Sequence, residues 1–229
     1  MGVSQLKTFA KRAFMPRTTA AADNPVPSSV SEYCIRKGYC HRPDNRIYDD
    51  TDLEDQWQRE VYEWAVEEAL DIDARTVFDI GCGAGFKLMK HFAGIRTVGF
   101  DLKPMVSFLK KKYPGRDWRV SNFKDTIEEP ADIVICADVV EHIPNPDLLM
   151  GFLAGLRFEK LILSTPDRML MYGCDHPGPP SNPCHCREWT MDECRSYVSA
   201  WFDIERHQIS NRAQATQMMV CRAKSPGVG

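Results

Sequence analysis

The sequence lacks any long apolar run. A membrane-spanning helix needs about 20 mostly apolar residues, and the longest apolar stretch, Ala131 to Val140, is broken by Asp132 and Asp138. No apolar core follows the basic residues Lys7, Lys11, Arg12 and Arg17, so no secretory leader is expected. Met1-Gly2 opens as a myristoylation site does, but Leu6 stands where such a site carries Ser or Thr. Positive charge is not in excess either: 29 Lys and Arg against 32 Asp and Glu give a formal net charge of −3. Without a global positive field, nucleic acid is not expected as the main partner. The nine cysteines are scattered, with no short disulfide framework, which reads as a reducing, cytoplasmic compartment.

What is present is material for one domain. With 229 residues and 43% hydrophobic side chains, the chain can bury one substantial core and carry a tail. The tail is expected over residues 1–30, where Thr18 to Val30 is rich in Ala, Ser and Pro, and where residues 3–14 have the pattern of a short basic amphipathic helix. The domain is expected over 31–229. Leu53, Trp57, Val61, Trp64 and Ala65 recur at helical spacing and predict a helix over Asp52–Leu70. Thr51 is its expected N-cap, with Asp52, Glu54 and Asp55 at the positive end of the dipole.

From Arg75 onward, short apolar runs alternate with helical patterns. Strands are expected at Thr76–Ile80, Thr97–Asp101, Trp118–Val120, Ile133–Ala137 and Lys160–Ser164. The helices between and after them are expected at Gly85–Phe92, Pro104–Lys112, Asp147–Leu156 and Met191–Trp201. Phe202–Gln208 and Thr216–Arg222 complete the set as a hairpin around a polar turn. The predicted fold is α/β: a doubly wound, seven-stranded, mostly parallel sheet ending in an antiparallel hairpin.

The informative motif ends the first strand. In Val77-Phe78-Asp79-Ile80-Gly81-Cys82-Gly83-Ala84-Gly85, glycines let the backbone turn sharply and approach a ligand, and the following helix offers free N–H groups. Asp101 ends the second strand 18 positions after Gly83 (101 − 83), where a carboxylate can take both hydroxyls of a ribose. That spacing suits a dinucleotide or an adenosine cofactor. The G-x-G-x-G spacing, the acid Asp79 two residues before the first glycine and the terminal hairpin favour S-adenosylmethionine over NAD. Cys82, inside the loop, reads as a small packing residue.

Asp79-Ile80-Gly81-Cys82-Gly83-Ala84-Gly85 resembles the first motif of the class I S-adenosylmethionine-dependent methyltransferases, and the likeness extends over roughly residues 50–222. It implies the class I fold, S-adenosylmethionine as cofactor, and a cofactor site made of Asp79, Gly81, Cys82, Gly83, Asp101, Leu102, Asn122, Phe123, Asp138 and Val139. Asp79, Gly81 and Gly83 would surround the methionine end, Asp101 the ribose, and Leu102 with Asn122-Phe123 the adenine. Family members often carry Asp where Asn122 stands. Asp138-Val139-Val140-Glu141-His142-Ile143-Pro144-Asn145-Pro146 resembles the segment that lines the methyl-transfer site in ubiquinone-type and related O-methyltransferases.

Methyl transfer to a hydroxyl needs alignment and a base. His142 is one candidate base. The second, His185, lies in the long segment after the fifth strand. That segment resembles a loop of glycan-associated bacterial methyltransferases, which implies a small hydroxylated acceptor such as a sugar. Glu141, Asp175, His176 and Glu188 are the expected acceptor-binding residues. Cys174, Cys184, Cys186 and Cys194 share the region, but no C-x₂-C pair exists and no metal is expected. Related O-methyltransferases imply only a magnesium alternative on Glu141 with Asp138 or Asp175. The other readings are methyl transfer to nitrogen or carbon, an NAD-dependent oxidoreductase, and a non-catalytic module that binds S-adenosylmethionine.

Overall fold

The computed structural model describes residues 32–44 and 46–225; the tail expected over 1–30, with its amphipathic helix, lies outside them. Seven strands form one sheet in the order β3-β2-β1-β4-β5-β7-β6. They are β1 Thr76–Ile80, β2 Arg96–Asp101, β3 Asp117–Val120, β4 Ile133–Ala137, β5 Lys160–Pro166, β6 Phe202–Asn211 and β7 Thr216–Ala223. β1 to β5 pair in parallel, while β7 runs antiparallel to both β5 and β6. The chain winds outward from β1 to β3, returns to β4 beside β1, and winds the other way to β5. The crevice outside the carboxyl ends of β1 and β4 is therefore the place where such sheets bind ligands.

The strands form because their apolar residues face both sides. Phe78, Ile80, Val134, Cys136, Leu161 and Leu163 point to one face, where α4 (Pro146–Gly155) and α6 (Met191–Ser199) cover them with Leu149, Leu153, Tyr197 and Val198. Val77, Ile133, Ile135 and Ile162 point to the other. There α1 (Arg59–Asp71), α2 (Phe86–His91) and α3 (Lys103–Lys112) supply Val61, Trp64, Leu88, Val106 and Leu109. Continuous buried runs of this kind are the mark of parallel strands covered on both faces. α6 opens on a capping box between Thr190 and Glu193, which fixes where the preceding loop ends.

The first long helix departs from expectation. It begins at Arg59, not Asp52, and its N-cap is Gln58 in the left-handed region (φ 62°). Thr51 does not cap it; its N–H and hydroxyl both bond Asp49 Oδ1, at 3.1 and 2.8 Å. Of the three acids expected at its dipole, Asp52, Glu54 and Asp55, the last pairs with Lys90 and His91 on α2 instead, and Asp50 before them accepts from Ala84 N–H. Trp57, expected in the apolar stripe, is 49% exposed, whereas Trp64 is buried. The long segment after β5 also holds a short helix that the sequence pattern did not predict, α5, Arg168–Tyr172, capped by Asp167.

Candidate active site

The glycine loop is built by backbone conformation. Gly81, Gly83 and Gly85 all sit at positive φ (75°, 49° and 68°), a region where a Cβ is strained. Space is equally restrictive. A Cβ on Gly81 would lie 2.5 Å from Val139 Cγ2, and one on Gly83 would run into the Asp50 carboxylate. The loop is thus wedged between β4's carboxyl end and the segment before α1. Cys82 is buried beneath it, and burial among the neighbouring acids pushes its thiol well up, so it packs as an apolar side chain.

Two acids frame the loop as the motif implied. Asp79 is fully buried; its Oδ2 accepts from Tyr62 O–H of α1 at 2.8 Å, while Oδ1 has no hydrogen-bond partner. Burial raises its carboxyl to about 7, against the opposing Tyr62 bond and the charge of Lys87. Asp101 takes the loop from the other side: Oδ2 accepts from Gly83 N–H (2.9 Å) and Oδ1 from Leu102 N–H (2.7 Å). Leu102 is exposed at the head of α3. Asn122 is exposed and its Oδ1 accepts from Lys124 N–H at 3.2 Å. Phe123 adopts φ 65° and packs on Phe152, ring centroids 5.7 Å apart.

The carboxyl end of β4 carries the second half. Asp138 stands in the left-handed region (φ 52°) and accepts from Ser164 O–H at 2.5 Å, a contact that ties β4 to β5. Strained non-glycine backbone of this kind concentrates at functional sites. The next turn, Val140–His142, delivers Glu141 and His142. Glu141 is fully buried, with Oε2 accepting from Thr165 O–H at 3.0 Å. Burial, reinforced by the charge of Asp138, raises its carboxyl well above the usual range.

The loop after α5 folds back onto this turn. Cys186 N–H donates to Glu141 O at 2.7 Å, and Arg187 clamps Ile143 O (2.6 Å) and Pro144 O (2.5 Å). Those contacts stand His185 edge-on to His142, ring centroids 4.7 Å apart. His142 Nδ1 lies 2.8 Å from Cys184 O, and His185 Nδ1 lies 2.6 Å from Glu188 Oε1. A carbonyl accepts only, so His142 donates from Nδ1, which leaves Nε2 as its acceptor nitrogen. Burial, then the charge of His185, lowers His142 to about 4. Glu141, His142 and His185 bring their ligand atoms within 4.8 Å of one another.

Of the acceptor residues expected, Glu141 and Glu188 join this cluster. Asp175 and His176 do not: Asp175 is exposed with its carbonyl bonded by Arg36 (2.5 Å), and His176 stacks on Tyr172 at 4.4 Å. The C-x₂-C criterion could not detect the cluster, because none of its members is a cysteine and they come from two segments 43 positions apart (185 − 142). Asp50 and Tyr48, whose ring lies 6.0 Å from that of His142, were missed as well. They sit in an irregular stretch with no motif to mark them.

A glycine loop at the switch point, an acid at the end of each of the first two strands and a terminal hairpin define a class I S-adenosylmethionine-dependent methyltransferase. A family model described as a methyltransferase domain matches residues 50–218. The chain belongs to that family, whose cofactor is S-adenosylmethionine. It is 30% identical over 115 residues to a ubiquinone biosynthesis O-methyltransferase of Xanthomonas oryzae, covering 45% of this chain and 48% of the relative. A probable S-adenosylmethionine-dependent methyltransferase of Mycobacterium tuberculosis is 27% identical over 197 residues, covering 81% of this chain and 69% of the relative. The chain spans about half the length of the curated ubiquinone-pathway relatives it matches. The magnesium protoporphyrin IX methyltransferase of Synechocystis, solved with S-adenosylhomocysteine bound, shares the fold: TM-score 0.55, 18% identity, 79% of this chain and 90% of that one. The residues fit the cofactor: the loop turns at positive φ at Gly81, Gly83 and Gly85 just past β1, Asp101 at the end of β2 accepts from it, and Asp79 holds a buried oxygen without a partner.

Proposed function

We propose that this protein transfers a methyl group from S-adenosylmethionine to an oxygen of a small hydroxylated acceptor, of sugar or glycan-precursor type, in the cytoplasm. One observation carries the reading: the Glu141–His142–His185 cluster lies one turn beyond Asp138, at the carboxyl end of the strand next to the glycine loop. When bound, the cofactor supplies a methyl group on a positively charged sulfur. The chain must then position a hydroxyl and take its proton. His142 and His185 stand at the right edge of the sheet for this, each with Nδ1 held by an oxygen; Asn182 Nδ2 rests 2.9 Å from His185 Nε2 and must move aside before that ring takes a proton. Such orientation is what a general base needs. The likeness to O-methyltransferases supports oxygen as the methylated atom. Net charge −3 speaks for a small molecule rather than nucleic acid, and nine cysteines scattered without a short disulfide framework support a reducing compartment. Among the described residues no helix is long and apolar enough to cross a membrane.

The cluster also favours a second reading of the proton step. A histidine lowered to about 4 is neutral but a weak base at pH 7. Neutral imidazole beside a carboxylate is a ligand set for a divalent cation, and Glu188 behind His185 is the outer carboxylate such sites use. A cation on Glu141, His142 and His185 would lower the pKa of a coordinated hydroxyl. Methyl uptake from labelled S-adenosylmethionine onto a panel of sugars and phenols tests the reaction. Repeating it after chelator treatment, then with added magnesium or manganese, separates the two proton routes. Absence of uptake on every hydroxyl compound, with uptake on amines, would overturn the O-methyl reading.

A further inference from the structure

Residues 46–58 form an irregular strap between the acceptor loop and α2. At one end Arg46 N–H donates to Pro183 O at 3.2 Å. At the other, Asp55 pairs with Lys90 and His91, and Gln56 O accepts from Gln214 Nε2 at 2.6 Å. Between these anchors, Tyr48 reaches His142 and Asp50 reaches the glycine loop. Asp50 Oδ2 accepts from Ala84 N–H at 3.2 Å and lies where any Cβ on Gly83 would stand.

The position is costly for a carboxylate. Burial raises Asp50, and Asp50 in turn raises Asp79 and Asp101 by like charge. Lys87 is the cation that eases both Asp50 and Asp79. Asp79 adds a fully buried oxygen with no partner. Three carboxylates gathered around one glycine loop favour a cationic ligand, since like charges are best relieved by an opposite one nearby. Asp101 alone meets the ribose requirement, which leaves Asp50 without a role in the motif. In the cofactor, the α-ammonium shares a carbon with the α-carboxylate, and backbone N–H groups of a glycine loop attract a carboxylate. Asp50 accepts from one N–H of that loop, Ala84's, so its carboxylate stands beside the place the amino-acid end would take.

We propose that Asp50 is a cofactor-binding residue, carried onto the glycine loop by the strap, which takes the α-ammonium of S-adenosylmethionine while Asp101 takes its ribose. The assignment does not depend on the identity of the acceptor.

The test is calorimetric titration of the full chain with two probes. S-adenosylhomocysteine carries the ammonium; methylthioadenosine keeps the adenosine and the sulfur but lacks the amino-acid end. Asp50→Asn keeps a side-chain oxygen for Ala84 N–H. It should weaken S-adenosylhomocysteine by about tenfold or more, as expected for losing a charge-assisted, sheltered contact, and methylthioadenosine by less than about twofold. Asp101→Ala should weaken both probes alike. Equal losses on both probes with Asp50→Asn would show that Asp50 only shapes the loop, and would overturn the assignment. No loss on either would overturn it too. Should Asp50→Asn fail to fold, Asp50→Ser is read by the same ratio of losses. Failure of the wild-type chain to bind either probe would be a failure of the cofactor site itself, which no Asp50 variant can mimic.

Discussion

His185 and Glu188 form a buried pair: Nδ1 of the imidazole lies 2.6 Å from Oε1 of a carboxylate that is itself fully enclosed. Tyr39 O–H, 3.2 Å from Glu188 N–H, supports the pair from an N-terminal segment 149 positions away. The contact fixes His185 by both tautomer and orientation. Glu188→Gln should therefore lower the methyl-transfer rate by about 10–100-fold, the usual cost of removing such a carboxylate from behind a histidine. S-adenosylhomocysteine affinity should stay unchanged. A rate within twofold of wild type would sink the positioning role.

His142→Ala and His185→Ala address the proton step. Each should lower the turnover rate by about 10²–10⁴-fold, with cofactor affinity intact. If the cation reading is right, both variants should also lose binding of manganese, read by titration or by relaxation of solvent protons. Loss of turnover with no metal bound by the wild type would leave the histidines as bases.

Gly81→Ala probes the loop. The new Cβ meets Val139 at 2.5 Å and sits at φ 75°. The variant should lose about 1–3 kcal/mol of stability from the left-handed strain alone, and cofactor affinity should fall with it as the loop shifts. A thermal melt and a titration on the same sample check both. Pairing it with Val139→Ala should recover part of the loss, because that contact is side chain against side chain.

The Asp79 carboxyl sets a pH dependence. Its folded value, about 7, lies above the ordinary 3.8. The folded state therefore holds this proton more tightly, and the stability it confers is complete below pH 3.8 and lost as pH rises through 7. Each tenfold difference in proton affinity corresponds to about 1.4 kcal/mol. Asp79→Asn keeps an acceptor for Tyr62 and cannot ionise. Its stability, compared with wild type by denaturant titration, should gain steadily between pH 4 and 7. A constant difference across that window would contradict the burial argument.

The sheet was legible because its strands announce themselves. Ile133–Ala137 and Thr76–Ile80 are apolar runs between breakers, and they occupy the predicted positions to the residue. The loop was legible because its chemistry is contiguous: Asp79, Gly81 and Gly83 are neighbours in the chain, and Asp101 closes the next strand. The start of α1 was not. Asp52, Glu54 and Asp55 look like helix-dipole residues until Lys90 and His91, far along the chain, are brought against Asp55. The acceptor cluster was half legible for the same reason. His142 and His185 each carry a local signal, but their approach depends on Arg187 holding Ile143 and Pro144, a pairing no spacing rule encodes. Asp175 and His176 shared that composition and were drawn elsewhere by Arg36 and Tyr172.

The wall formed by residues 32–44 and the 175–188 loop has a consequence for how the chain folds. Cys40 N–H donates to Pro177 O, Arg42 N–H to Cys186 O, and Trp189 Nε1 to Tyr33 O, so each tie closes about 140 or more residues of chain. Contacts this distant in sequence are slow to form, because the entropy of closing the loop must be overcome first. Within the sheet the spans are shorter: β1 pairs with β2 across 20 residues (96 − 76) and with β4 across 56 (133 − 77). The ties of this wall are therefore expected to close after the strand pairs that carry the glycine loop.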